Sequence, residues 1–209
     1  MNNSWNRLIY KLWSPFYDQF FNSGAFLQAR KNLFAEETFE KGQNILFVGV
    51  GTGADLAWIP RKDLNVTAID FSPEMLHKAK EKFKNDPITF KEMDAQDLQF
   101  ADESFDIVVG SLILSVVPDA KKALEEMIRV TKGGGRILIF DKFAPKDMDL
   151  SFGKKLIRPL VSFLGTDIGL HFDETLNPYR SMVNLQLDKP IMFGDMYRKI
   201  RLVKVLEIN

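Results

Sequence analysis

The chain of 209 residues contains no cysteine. That excludes disulfides and thiolate chemistry. Histidine is scarce, with only His77 and His171 present, far apart in the sequence. No metal-ligand cluster of the usual spacing is therefore legible, and no metal is expected. Net charge is also lacking: 28 basic side chains balance 28 acidic ones. No overall field draws the protein to nucleic acid. No apolar run approaches the roughly 20 residues that cross a bilayer. The start, "MNNSWNRLIYKLWSPFYDQFF", lacks the basic-then-apolar layout of a signal peptide. These absences point to a cytoplasmic globular protein. Its 45% apolar and 27% charged content is ordinary for that class.

The centre alternates strands and helices. "NILFVG" (44–49), "NVTAID" (65–70), "ITFKEM" (88–93), "FDIVVGS" (105–111) and "GRILIFD" (135–141) read as strands. Helical patterns fall at 53–60, 73–84 and 119–131. Ser72 before Pro73 is an N-cap followed by proline at the first helical position. Asp119 caps the next helix, and "KGGGR" is expected to stop it. This order predicts an α/β fold with a doubly wound, mostly parallel sheet covered on both faces. "KIRLVKVLEI" (199–208) alternates and reads as a strand with one wet face. It completes an expected seven-stranded, Rossmann-like sheet with one antiparallel C-terminal strand. The chain is expected to be one domain over 1–209. Residues 1–40 would form a helical cap, 41–141 a cofactor-binding core, and 142–209 an acceptor-site insertion and final strands.

The stretch "ILFVGVGTG" (45–53) runs an apolar strand into Gly49, Gly51 and Gly53. Glycines at a strand-to-helix turn let a ligand approach backbone N–H groups. A Walker phosphate loop is disfavoured, since no Lys-Ser/Thr follows Gly53. The dinucleotide fingerprint is matched by Gly49, Gly51 and Ala54, with Asp70 near the expected distance. The glycines alone leave a nicotinamide dinucleotide and another nucleotide-like cofactor both open.

Four pieces in order decide between them. "ILFVGVGTG", "AIDFSPEMLHKAKEKF", "MDAQDLQFADESFDIVVGSLILSVVPD" and "VTKGGGRILIFD" resemble the successive motifs of the class I S-adenosylmethionine-dependent methyltransferases, over roughly residues 40–141. Within that superfamily, of the type 11 kind, the chain resembles the soluble bacterial phosphatidylethanolamine N-methyltransferases. "WSPFYDQFF" and "KKLIRPLVSFLGTDIGLHFDE" extend this likeness to both ends. The menaquinone/ubiquinone C-methyltransferases share many of these features.

The resemblance implies S-adenosyl-L-methionine as cofactor and S-adenosyl-L-homocysteine as product. It implies that Gly49, Gly51 and Gly53 line the methionine and ribose portions. Asp70 would accept the ribose hydroxyls, and Phe71 would pack on the adenine face. Asp94 would accept from the adenine amine, with the Ala95 N–H facing a ring nitrogen. Ser111 would approach the methionine portion. Phe47 departs from the family, which often carries an acid there; Asp55 or Tyr17 would then have to supply the polar contact. An ammonium acceptor must lose a proton before attack, and Tyr17, His171 and Asp173 are the nameable candidates.

The expected activity is methyl transfer to a small or lipid-like acceptor, phosphatidylethanolamine first and a quinone precursor second. A cofactor-binding protein without catalysis is the alternative from another class, hinted at only by Phe47. A nicotinamide oxidoreductase is the remote one. The N-terminal aromatics read as a lid over the site, a reading compatible with peripheral contact to a membrane surface. The sequence leaves the oligomeric state open.

Overall fold

The computed structural model describes residues 23–144 and 169–206. Five central strands form where expected: β1 (Asn44–Val48), β2 (Asn65–Asp70), β3 (Ile88–Glu92), β4 (Phe105–Ser111) and β5 (Thr131–Lys142). Two more follow, β6 (Val183–Met192) and β7 (Tyr197–Lys204). The order across the sheet is β3-β2-β1-β4-β5-β7-β6. The first five strands pair in parallel, while β7 runs antiparallel to both β5 and β6.

Helices cover both faces. The helix α1 (Gly24–Phe34) lies on one face over Ile45, Phe47, Ile107 and Phe140. The helix α3 (Ala120–Val130) lies on the other over Leu46, Val108 and Ile139. Alternation along each strand sorts these residues, because successive side chains point to opposite faces. The helix α2 (Pro73–Lys82) begins as its sequence indicates, with Met75 N–H donating to Ser72 Oγ at 3.2 Å. Asp119 caps α3 through the Lys122 N–H at 3.0 Å. The short helix α4 (Phe172–Leu176) packs beside α3 and buries Phe172 and Leu176.

Several boundaries differ from the sequence reading. In place of a helix over 53–60 there is a four-residue 3-10 turn, Asp55–Trp58. Pro60 is the cause, since it drives Ile59 to extended backbone at φ −118°, ψ 156°. The glycines of "KGGGR" do not cap α3. The helix ends earlier, at Thr131, already extended at φ −78°, ψ 134°. The glycines instead belong to β5, which shifts register against β4 between Phe105 and Ile107. A Cβ on Gly135 would meet the carbonyl oxygens of Lys132 and Asp106 at 2.8 and 2.9 Å. Only glycine lets the strands close there. Residues 183–190, read as part of an insertion, are strand β6. Pro190 is tolerated within it because β6 is the sheet's edge.

Charged side chains tie α1 and the segment after it to the rest of the fold. Past the end of α1, buried Glu37 pairs with Arg136 of β5 and with Arg201 of β7. On the helix itself, Arg30 Nη1 donates to Asp55 Oδ1 at 2.6 Å, with both side chains about 95% buried. Replacing Arg30 by Met leaves the Asp55 carboxylate sealed without that cation. Such a change is expected to cost about 3–5 kcal/mol, read as a lower urea midpoint. Adding Asp55→Leu should restore most of the loss.

Candidate active site

The strand order reverses between β1 and β4. Ligands of open α/β sheets bind in the crevice outside the carboxyl ends of the strands at such a point. Gly49 follows β1 and Ser111 ends β4, and their preceding residues Val48 and Gly110 are direct partners. The two therefore meet at the mouth of the crevice.

The turn after β1 is held by its own backbone. Val50 N–H donates to Ile69 O at 2.8 Å, and Gly53 N–H to Val50 O at 2.9 Å. Gly49, Gly51 and Gly53 all have left-handed backbone, with φ of 69°, 56° and 84°. A Cβ on Gly49 would lie 2.6 Å from Ile113 Cδ1, and one on Gly53 2.7 Å from the Phe83 ring. These two glycines thus also serve the packing of the turn.

Asp70 sits at the end of β2 and organises this turn. Its Oδ2 accepts from Gly51 N–H at 2.7 Å and its Oδ1 from Ser72 N–H at 2.8 Å. Burial pushes its carboxyl up to about 6, against these backbone hydrogen bonds, which lower it. The Phe71 backbone N–H bonds the same carboxylate, and with about four acceptor sites on its two oxygens it still has room for a ligand hydroxyl. Met93 N–H donates to Asp70 O at 3.1 Å, which brings the segment after β3 to the same edge. There Asp94 is partly buried, and its Oδ1 accepts from Gln96 N–H at 2.9 Å. Asp97 is exposed, and Ala95 is buried. Phe71, directly after Asp70, is partly buried.

Ser111 is 8% exposed, and its Oγ has no hydrogen-bond partner among the described residues. A buried hydroxyl without a partner costs free energy unless a ligand satisfies it. The next residue, Leu112, has left-handed backbone at φ 55°. Strain of this kind gathers at functional sites.

Phe47 does not face the crevice. It is 2% exposed and packs in the core under α1, its ring centroid 6.4 Å from that of Phe34. Asp55 is not free to replace the family's acid, because Arg30 holds it. Asp173, in the first turn of α4, pairs with Arg180 at 2.8 Å, both side chains about half exposed. His171 caps α4 by backbone position and accepts from Thr175 N–H at 3.1 Å through its carbonyl. His77 is exposed on α2. Tyr17 lies outside the described residues.

Two residues at this edge had a legible but unused signal. Asp141, the last but one residue of β5, is like Asp70 an acid closing an apolar run. It is 0% exposed and accepts from Lys142 N–H at 2.8 Å and Ser115 N–H at 3.2 Å. Burial pushes its carboxyl up. Gln96 is the other, joining Asp94 to the start of α3 through a 2.9 Å bond from Asp119 N–H.

The edge suits a nucleoside-bearing sulfonium cofactor. It offers a carboxylate with spare lone pairs beside a glycine turn, and an orphaned buried hydroxyl across the switch point. Among the described residues there is no cluster of three or more His, Asp or Glu that could hold a metal ion. No described helix is long and apolar enough to cross a membrane.

Comparison with known proteins agrees with this chemistry. Residues 46–139 match the family described as Methyltransferase domain. The chain is 36% identical over 160 residues to a phosphatidylethanolamine N-methyltransferase of Cereibacter sphaeroides, covering 75% of this chain and 77% of that one. It is 32% identical over 165 residues to the ubiquinone/menaquinone biosynthesis C-methyltransferase UbiE of Desulfotalea psychrophila, covering 77% and 66%. Its fold matches a chain from the complex between the Haloferax volcanii Trm112 methyltransferase activator and a methyltransferase. The TM-score is 0.78 at 18% identity, over 97% of this chain and 98% of that one. Identity above one third, sustained over three quarters of two chains, settles the family: this chain belongs to the S-adenosylmethionine-dependent methyltransferases and takes its methyl group from that cofactor.

Proposed function

We propose that the methyl acceptor is the amino head group of a phosphatidylethanolamine-like lipid. The observation that carries this is the 36% identity to a phosphatidylethanolamine N-methyltransferase over most of both chains. The UbiE relative favours a quinone precursor as the second reading, over a smaller share of its length.

In this reading the cofactor, when bound, supplies an already activated sulfonium methyl. The protein's work is alignment and exclusion of water. Asp70 accepts both ribose hydroxyls while continuing to hold Gly51 and Ser72. Phe71 covers one adenine face, and Asp94 with the Ala95 N–H reads the adenine edge. Gly49, Gly51 and Gly53 bring backbone against the cofactor, and Ser111 satisfies its hydroxyl on the methionine side. Phe47 loses its meaning as a sign of lost catalysis, since its aromatic ring has a packing role. Residues 1–40 and 142–209 shape the acceptor side, with Tyr17, His171 and Asp173 as candidates for taking the ammonium proton. Lipid substrates would bring the protein to a membrane surface from the cytoplasm.

The test begins with calorimetric titration of S-adenosylhomocysteine, with NADH as control. Micromolar binding of the former alone is expected. Labelled methyl transfer to phosphatidylethanolamine vesicles should then exceed transfer to a demethylated quinol. Transfer to the quinol alone would replace the first reading with the second.

A further inference from the structure

Tyr197 opens β7 opposite Lys142, the last residue of β5. Because β7 is antiparallel, its first residue lies at the edge where β1, β2, β4 and β5 end. The Tyr197 ring is held by three others. Centroids lie 5.4 Å away at Phe26, 5.9 Å at Phe140 and 5.9 Å at Phe193, at interplanar angles of 88°, 43° and 65°. Phe140 is in turn the direct partner of Ser111 on β4. A row of Ser111, Phe140 and Tyr197 therefore crosses the sheet on its α1 side.

The two polar ends of this row differ. Ser111 Oγ is sealed and has no partner among the described residues. The Tyr197 hydroxyl is not among the sealed polar atoms, and the phenol is only partly buried. Burial, then the negative charge of Asp141, pushes the phenol up to about 12, so it keeps its proton at neutral pH. The neighbouring cations are engaged. Lys142 is attracted to Asp141, and both Nε and Nη2 of Arg198 donate to the Asp188 carboxylate. Asp70 is on the other side of the switch point. In-line transfer puts the acceptor opposite the departing sulfur. With the ribose at β2, that places it over β4 and β5, beside this row.

We propose that Tyr197 is an acceptor-contacting residue whose hydroxyl oxygen accepts a hydrogen bond from the ammonium head group of the acceptor. The three rings fix its position. A cation beside an aromatic ring gains further attraction from the ring face. The assignment rests on the amine-lipid reading above.

Tyr197→Phe keeps the ring and its three aromatic contacts and removes only the hydroxyl. Initial rates are measured on phosphatidylethanolamine vesicles at saturating S-adenosylmethionine. The expected result is an apparent KM for lipid raised about three- to tenfold, the loss of one hydrogen bond. S-adenosylhomocysteine affinity and melting temperature should not change. An unchanged KM, or cofactor affinity falling in step with it, overturns the assignment. The wild type separates this from failure of the underlying reading. If it methylates only a demethylated quinol, the amine reading has failed, and the same variant is compared on the quinol. An unchanged KM there overturns the contact; a raised one keeps the contact and overturns its ammonium partner. Silence of the wild type on both acceptors overturns the assignment together with the reading beneath it.

Discussion

Phe47→Asp is expected to unfold the protein or bring it to the edge of stability. The ring is 2% exposed, between β1 and α1. Truncating a buried phenylalanine costs about 3–5 kcal/mol from lost burial and the cavity left. The new carboxyl adds the cost of a buried polar group, about 1–3 kcal/mol on mutational scales. Together these rival the whole stability of an ordinary domain, about 5–15 kcal/mol. Phe47→Leu, which conserves apolar character, should lose far less. Urea unfolding followed by circular dichroism reads both. A folded Phe47→Asp protein with tighter S-adenosylhomocysteine binding would show instead that this position reaches the cofactor.

Asp70→Ala is expected to weaken S-adenosylhomocysteine binding by about 2–5 kcal/mol, the loss of one or two hydrogen bonds to a charged acceptor. It also frees Gly51 N–H and Ser72 N–H, which the carboxylate holds in the absence of ligand. The pH dependence gives a second check. The folded-state carboxyl is raised to about 6 from 3.8. Protonation removes the charge that two hydroxyl donors seek, so affinity should fall as pH drops through 6. Below that the loss approaches about tenfold per pH unit. Stability of the ligand-free protein runs the other way. A raised carboxyl contributes stability that is full below 3.8 and is lost as pH rises through about 6. Calorimetry between pH 5 and 7.5 reads the first trend. Affinity independent of pH, and unchanged in Asp70→Ala, would remove Asp70 from the site.

The glycine turn and the strand-end acid were legible because their determinants are local. A strand ending in glycines, an acid ending the next strand, and a serine-proline helix start each lie within a few residues. Asp70 and Ser72 even share a hydrogen bond across two positions. Alternation and turn chemistry write such features into short windows. Where one local rule met another, the window misled. Pro60 overrode the helical pattern of 53–60, and strand closure at Gly135 overrode the glycine stop signal.

By itself, then, the sequence determined the strand–helix order, the parallel sheet, the glycine turn and the strand-end acid, since each follows from backbone preference and periodicity over a few residues. Only the tertiary structure decided the rest. Phe47 is core because α1 brings Phe34 over β1. Asp55 is an ion-pair partner because Arg30, 25 residues away, folds onto it. Tyr197 reaches the active edge because an antiparallel β7 returns beside β5, more than fifty positions after it. Contacts between residues so far apart depend on which faces the packed layers bring together, and no local pattern encodes that pairing.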